Sequence, residues 1–233
     1  MFNKSLSEKI KEIRGSIVAI GFNPNPQQIT ILGSGFSVSD DGKILTCAHL
    51  LRNLNKEQIQ NLKANVMVEQ NNEKGFEKYQ WMPISLISKN DKNDLAVFQI
   101  NGEYQKSFLK KLELADSDKI EVGQDIYFIG FPYAAQLMND GFGVTLIANR
   151  GIVSNVKRDG SDPDHKRNWF IVDAISNPGN SGCPLISAET NEVIGVMSIS
   201  FRTPSHVMKN LDIREPMHIA GAKPINLAKE LLK

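Results

Sequence analysis

NPGNSGCPL, residues Asn177 to Leu185, sets one serine among small, turn-forming residues and then runs straight into an apolar stretch. Two readings compete. The run is a tight turn ahead of a buried strand, or it presents Ser181 as a nucleophile with backbone N–H groups gathered beside it. A reactive hydroxyl needs a base to take its proton and donors to stabilise the oxyanion it creates. The glycines of Gly179-Asn180-Ser181-Gly182 permit backbone angles that other residues resist, so successive amides can converge on one point. Asn-Pro-Gly-Asn is also an ordinary turn, so the choice rests on the rest of the chain.

A base has to come from four histidines. His165 (SDPDHKRN) lies in a polar, solvated loop, and His206 (RTPSHVMKN) and His218 (EPMHIAG) lie in or beside another. His49 differs, ending the strand-like run GKILTCAHLL. The carboxylate that holds an imidazole by its other nitrogen finds a candidate in Asp94, which opens the apolar run DLAVFQI. A charge at the mouth of a buried strand is costly unless paired. Singly, His49 reads as a structural residue at a strand end. Asp94 singly reads as a cap of the turn SKNDKND, which Asp91 could fill equally well. Jointly they gain weight. His49, Asp94 and Ser181 follow the chain order of the chymotrypsin-type triad, and Cys183 breaks the G-x-S-x-G elbow of α/β-hydrolases. A histidine base must be neutral, and free histidine titrates near pH 6.5, so activity is expected to fall on acidification.

The 233 residues, 41% hydrophobic and 23% charged, suit a soluble globular chain with a sizeable core. A net charge of +1 argues against a nucleic-acid binder. No run reaches the roughly 20 apolar residues that cross a bilayer. The start MFNKSLSEKIKEIRGSIVAIGF lacks a signal peptide's apolar core, so a cytoplasmic protein without membrane attachment is expected. Cys47 and Cys183 are too few for a disulfide framework or a zinc site. They read as two small buried residues that could bridge only if their Cα atoms approach within about 7 Å. No metal and no cofactor are expected.

Residues 4–14 carry Leu6, Ile10 and Ile13 at helical spacing, with Ser5 or Ser7 as cap. Short β-rich runs then recur between turn signals such as SDDGK (39–43) and EKGFEK (73–78). The first series is SIVAIGF, ITILGSGFSVS, KILTCAH, VMVEQ, ISLISK and DLAVFQI. The second is DIYFIGFP, GVTLIANRGIVSNV, WFIVDAI, CPLIS and VIGVMSISF. Two sets of about six strands predict an all-β protein of two six-stranded antiparallel β-barrels. NKEQIQNLKA (55–64) predicts a short surface helix and INLAKELLK (225–233) a C-terminal one, with the junction between barrels at 101–123.

GSGFSVSDDGKILTCAHLL (33–51) resembles the histidine block of trypsin-like peptidases of the HtrA/Deg kind. NDLAVFQI (93–100) is similar to their aspartate block and DAISNPGNSGCPLI (173–186) to their serine block. The resemblance implies one peptidase domain over 1–233, with barrels at about 15–110 and 118–224 and the active site in the cleft between them. It implies a serine endopeptidase working through an acyl-enzyme: Ser181 as nucleophile, His49 as base then acid, Asp94 as orienting carboxylate. Gly179 and Ser181 would supply the oxyanion-hole amides. Ile175 and Ser176 would form one wall of the specificity pocket. Ser198, Ile199 and Ser200 would form the other wall and pair with a polypeptide substrate as an added strand.

Departures from the family pattern carry expectations of their own. Cys183 stands where the family usually has glycine, which alters packing behind the nucleophile. Asn180 stands where digestive relatives have an aspartate that pairs with a cut N-terminus, so proteolytic activation is not expected. The PDZ module common in HtrA proteins is not seen, so regulation is expected through loops, a homo-oligomer or a separate regulatory protein. None of the pocket-wall residues carries a negative charge, which favours a small or medium apolar side chain at the cleavage site. His218 at the pocket floor, favouring an acidic residue, is the minority reading. The alternative to an enzyme is a catalytically silent or regulated scaffold whose protease fold binds peptide without turning it over. A cysteine peptidase is excluded because position 181 is serine.

Overall fold

Short runs rich in valine, isoleucine and aromatic residues favour extended backbone, and in this protein they pair into two closed barrels. The computed structural model describes residues 4–25, 28–71, 76–104, 106–158, 168–204 and 214–233. The first barrel contains β1 (Ile17–Asn25), β2 (Gln28–Ser37), β3 (Lys43–Thr46), β4 (Leu62–Asn71), β5 (Phe76–Asn90) and β6 (Leu95–Ile100). They close in the order β1-β2-β3-β6-β5-β4. The second contains β7 (Asp125–Gly130), β8 (Ile147–Lys157), β9 (Trp169–Val172), β10 (Pro184–Ser187), β11 (Val193–Pro204) and β12 (Arg214–Pro224). These close as β10-β11-β12-β9-β8-β7, and every pairing in both barrels is antiparallel.

Strand alternation explains how one chain fills three cores. In β1, Val18 and Ile20 point into the first barrel, while Ile17 and Ala19 join the cluster between barrels. β6 does the same, sending Ala96, Phe98 and Ile100 inward and Leu95 and Val97 to the seam. In β7, Ile126 and Phe128 fill the second barrel while Tyr127 and Ile129 face the seam. Strands buried on both faces read as continuous apolar runs, which is why DLAVFQI shows no polar alternation.

The helix α1 (Leu6–Ile13) begins at Ser5, whose hydroxyl and Glu8 form a reciprocal capping box. It lies across the seam. Ile13 is part of the interbarrel cluster and Leu6 and Ile10 pack on it. Lys9 donates to the carbonyls of Ala188 and, at 2.8 Å, Glu189 on the second barrel, while Arg14 just beyond the helix pairs with Glu77 on the first.

Three expectations need correction. The predicted C-terminal helix is a single 3₁₀ turn, Ile225–Ala228, because Ile225 and Ala228, three apart, are the residues buried there. REPMHIAGAKP, read as loop, is strand β12, held by neighbours on both edges although its own pattern is weak. His218 therefore lies on a strand, exposed, and not at a pocket floor. The second short helix, α2 (Lys56–Gln60), falls where predicted but ends sooner. A third, α3 (Ala134–Asn139), had no clear periodicity to announce it. The loop histidines His165 and His206 lie outside the described residues.

Candidate active site

The first barrel contributes two side chains. β3 ends at Thr46, and a 3₁₀ turn over Ala48–Leu51 lifts His49 from its end. Asp94 precedes β6 with φ at 56°, a left-handed angle that only a short polar side chain adopts with ease. That turn aims the carboxylate at His49. Its Oδ1 accepts from the His49 backbone N–H at 2.8 Å, and its Oδ2 lies 2.8 Å from His49 Nδ1. The Asp94 carbonyl also accepts from the amide of Ala48 at 3.2 Å. Asp91, the competing reading, pairs instead with Lys89.

Ser198 on β11 completes the surroundings of the carboxylate, its hydroxyl donating to Asp94 Oδ2 at 2.6 Å. Burial by itself would raise the Asp94 pKa, but hydrogen bonds from the His49 ring, Ser198 and the His49 amide outweigh it and hold the group below its usual range. An anionic Asp94 fixes the proton of His49 on Nδ1. Nε2 is then free to accept one.

The second barrel contributes the loop ahead of β10. The Ser181 hydroxyl donates to the Ser198 carbonyl at 3.3 Å, and among the described residues no hydrogen bond joins it to the His49 ring. Ser198 therefore touches both halves, through its hydroxyl to Asp94 and its carbonyl to Ser181. A serine hydroxyl changes rotamer cheaply, and such contacts are often loose without substrate.

The loop backbone closes on itself through the Asn180 and Cys183 amides, which donate to the Asn177 and Asn180 carbonyls at 3.0 Å, and is further set from outside. The Pro178 carbonyl accepts from the Tyr133 amide at 2.8 Å. In a planar trans peptide N–H and C=O point oppositely, so the Gly179 N–H is turned away from Tyr133. Among the described residues neither the Gly179 nor the Ser181 amide has an acceptor. Ser34 of β2 accounts for much of this geometry. Its amide donates to the Ser181 carbonyl at 2.8 Å, and its hydroxyl donates to the Gly179 carbonyl at 2.7 Å while accepting from the Phe131 amide at 2.9 Å. Two positions in the loop need glycine. At Gly179, φ is 101° and a Cβ would sit 2.3 Å from the Phe131 carbonyl oxygen. At Gly182, φ is 88° and a Cβ would sit 2.1 Å from the Ser34 carbonyl oxygen.

Of the expected pocket walls, Ser176 and Ser198 are buried, while Ile175, Ile199 and Ser200 are partly exposed. β10 pairs with β11 as far as Val196, so beyond it that edge of β11 carries no strand among the described residues. Cys47 and Cys183 are free, fully buried thiols. Cys183 packs in the second barrel, and a Cβ on Gly130 would lie 2.9 Å from its own Cβ. The extra side chain at 183 thus faces a residue with none.

The comparisons agree with this fold. Residues 33–196 match the trypsin-like peptidase domain. The chain belongs to the trypsin-like peptidase family. This peptidase domain is 30% identical over 209 residues to serine endoprotease DegS of Haemophilus influenzae, covering 88% of this chain and 53% of that protein. It is 30% identical over 205 residues to a probable periplasmic serine endoprotease, DegP-like, of Buchnera aphidicola, covering 81% and 37%. Its fold is that of an HtrA-type protease, AlgW, solved with a decapeptide: TM-score 0.69 at 21% identity, over 98% of this chain and 66% of that one. The peptidase domain thus spans only about a third to a half of the curated relatives' length.

Signals for Ser34 and Tyr133 were slight. GSGF was visible as a motif, but only the cross-barrel bonds reveal what its serine does.

Proposed function

We propose that this chain is a serine endopeptidase, cleaving polypeptides by acyl transfer through Ser181, His49 and Asp94. The observation that carries the reading is the Asp94–His49 pair at 2.8 Å, joined through Ser198 to the Ser181 hydroxyl. His49 Nε2 takes the Ser181 proton as Oγ attacks the scissile carbonyl. Asp94, held anionic, stabilises the imidazolium that results. The amides of Gly179 and Ser181 meet the oxyanion. His49 returns the proton to the leaving amine, and water then hydrolyses the acyl-enzyme by the same steps in reverse order of partners.

The open edge of β11 at Ser198–Ser200 suits an extended substrate pairing through its main chain. Ile175 and Ser176, with no carboxylate among them, favour a small or medium apolar residue before the cut. The silent-scaffold reading is weaker, because the Gly179 and Ser181 amides have no acceptor among the described residues and so can donate to an oxyanion. Regulation through a homo-oligomer or a separate regulatory protein remains part of the proposal, as does a peptidase domain whose neutral Asn180 needs no activating cut. A cytoplasmic setting is proposed on the two cysteines left as thiols. What the described residues show is narrower: no helix is long and apolar enough to cross a membrane.

Turnover of a peptide library, with products mapped by mass spectrometry, tests the assignment. Cleavage after Val, Ile, Ala or Leu that disappears in Ser181→Ala is the expected result. Preferred cleavage after arginine would end the pocket reading, and no cleavage of any peptide would leave the scaffold.

A further inference from the structure

Cys47 lies two residues before His49, at the end of β3, and plays no part in the chemistry above. Its position is nonetheless unusual. The ligand atoms of Cys47, His49 and Asp94 all lie within 4.8 Å of one another. The thiol is fully buried and donates to the Met197 carbonyl at 3.2 Å. The His49 and Asp94 side chains keep 27% and 15% of their surface, so two of the three residues remain in contact with solvent.

We infer that Cys47, His49 and Asp94 form an inhibitory site for a thiophilic divalent cation such as Zn²⁺. A thiolate, an imidazole nitrogen and a carboxylate oxygen are the ligand types that zinc prefers, and three protein ligands leave a fourth position for water. Zinc bond lengths of about 2.0–2.3 Å in a tetrahedron put ligand atoms roughly 3.3–3.6 Å apart. His49 Nδ1 and Asp94 Oδ2, now 2.8 Å apart, would open slightly, and the thiol would close on them. The Ser198 hydroxyl already donates to that same oxygen, Asp94 Oδ2, at 2.6 Å, and hydrogen bonds to a ligating group orient it.

The protons balance simply. Binding releases the Cys47 thiol proton to solvent, and the Nδ1 proton of His49 passes to Nε2. The metal occupies Nδ1. Nε2, now carrying a proton, cannot accept one from Ser181, so one bound cation removes the base without touching the nucleophile.

The consequence for turnover rests on the peptidase reading, but binding does not. Two readouts separate them. Cd²⁺ as probe should give a thiolate-to-cadmium charge-transfer band in the native chain and in Cys183→Ala, but not in Cys47→Ala or Cys47→Ser. Zn²⁺ should inhibit peptide turnover reversibly on chelation, and the two Cys47 variants should resist it by at least about tenfold, since even groups behind a ligand bring that loss. A band that survives in the Cys47 variants, or no band in the native chain, overturns the site whatever the turnover shows. Equal inhibition of native and Cys47 variants overturns it as well. A native chain that shows the band but never hydrolyses peptide leaves the site standing and removes the peptidase reading.

Discussion

On the first barrel Asp94 receives three hydrogen bonds, two from His49 and one from Ser198, and its own backbone anchors the turn that carries His49. On the second barrel the Ser181 hydroxyl makes one longer contact, and its loop takes its shape from Ser34 of the first barrel and Tyr133 beyond β7. The acid–base half is thus held mainly by its own elements, with one bond from Ser198 of the second barrel, whereas the nucleophile loop leans more on residues elsewhere in the chain. Substitutions in the first half should act chiefly on chemistry. Those around the second should disturb loop shape and stability together.

The largest effect is expected from Asp94→Asn. An amide can donate to Nδ1 and favours the wrong tautomer, so kcat should fall by about 10⁴-fold, an effect far larger than the accompanying loss of stability. Gly179→Ala comes next. The new Cβ meets the Phe131 carbonyl at an angle only glycine adopts freely, and a displaced oxyanion amide costs roughly 10²–10³ in kcat. KM for a short peptide should move far less. Ser34→Ala leaves the Phe131 amide and Gly179 carbonyl without their partner. Denaturant melts should show a loss of about 1–3 kcal/mol, the cost of stranded buried polar groups, accompanied by slower turnover. If Ser34→Ala slowed turnover with no loss of stability, the contrast between the halves would be mistaken.

Acid stability sharpens the same contrast. Because the folded pKa of Asp94 lies below its unfolded value, the native state binds fewer protons and gains stability above about pH 4. That gain fades as pH falls through the lower folded value. The gap between native and Asp94→Asn melts should therefore be steady near neutrality and shrink toward acid. A gap independent of pH would mean the carboxylate is not held as described. The smallest effect belongs to Lys9→Ala, far from the site. It removes the bonds from α1 to the Ala188 and Glu189 carbonyls and should cost about 1 kcal/mol without altering kcat.

Much of this architecture was legible as pattern. DLAVFQI and DIYFIGFP announce strands because both their faces are buried, one in a barrel and one at the seam. His49 and Asp94 were legible only together with Ser181, through their chain order and the family resemblance, because each alone reads as a strand end or a turn cap. β12 was not, since its residues are held by β9 and β11 and not by their own alternation. Ser34 and Tyr133 stayed hidden for a related reason. Their bonds go to backbone atoms more than 40 residues away, and a backbone acceptor leaves no mark in the side-chain sequence. The double use of Ser198 was half visible. Its place beside the substrate strand could be expected, but the hydroxyl's bond to Asp94 required coordinates.

The most direct measurement is covalent labelling at neutral pH with a fluorophosphonate, followed by peptide mapping. One adduct per chain, on Ser181, lost in Ser181→Ala and strongly slowed in His49→Ala, is the predicted result. An unlabelled native chain, or an adduct on another serine, would contradict the account.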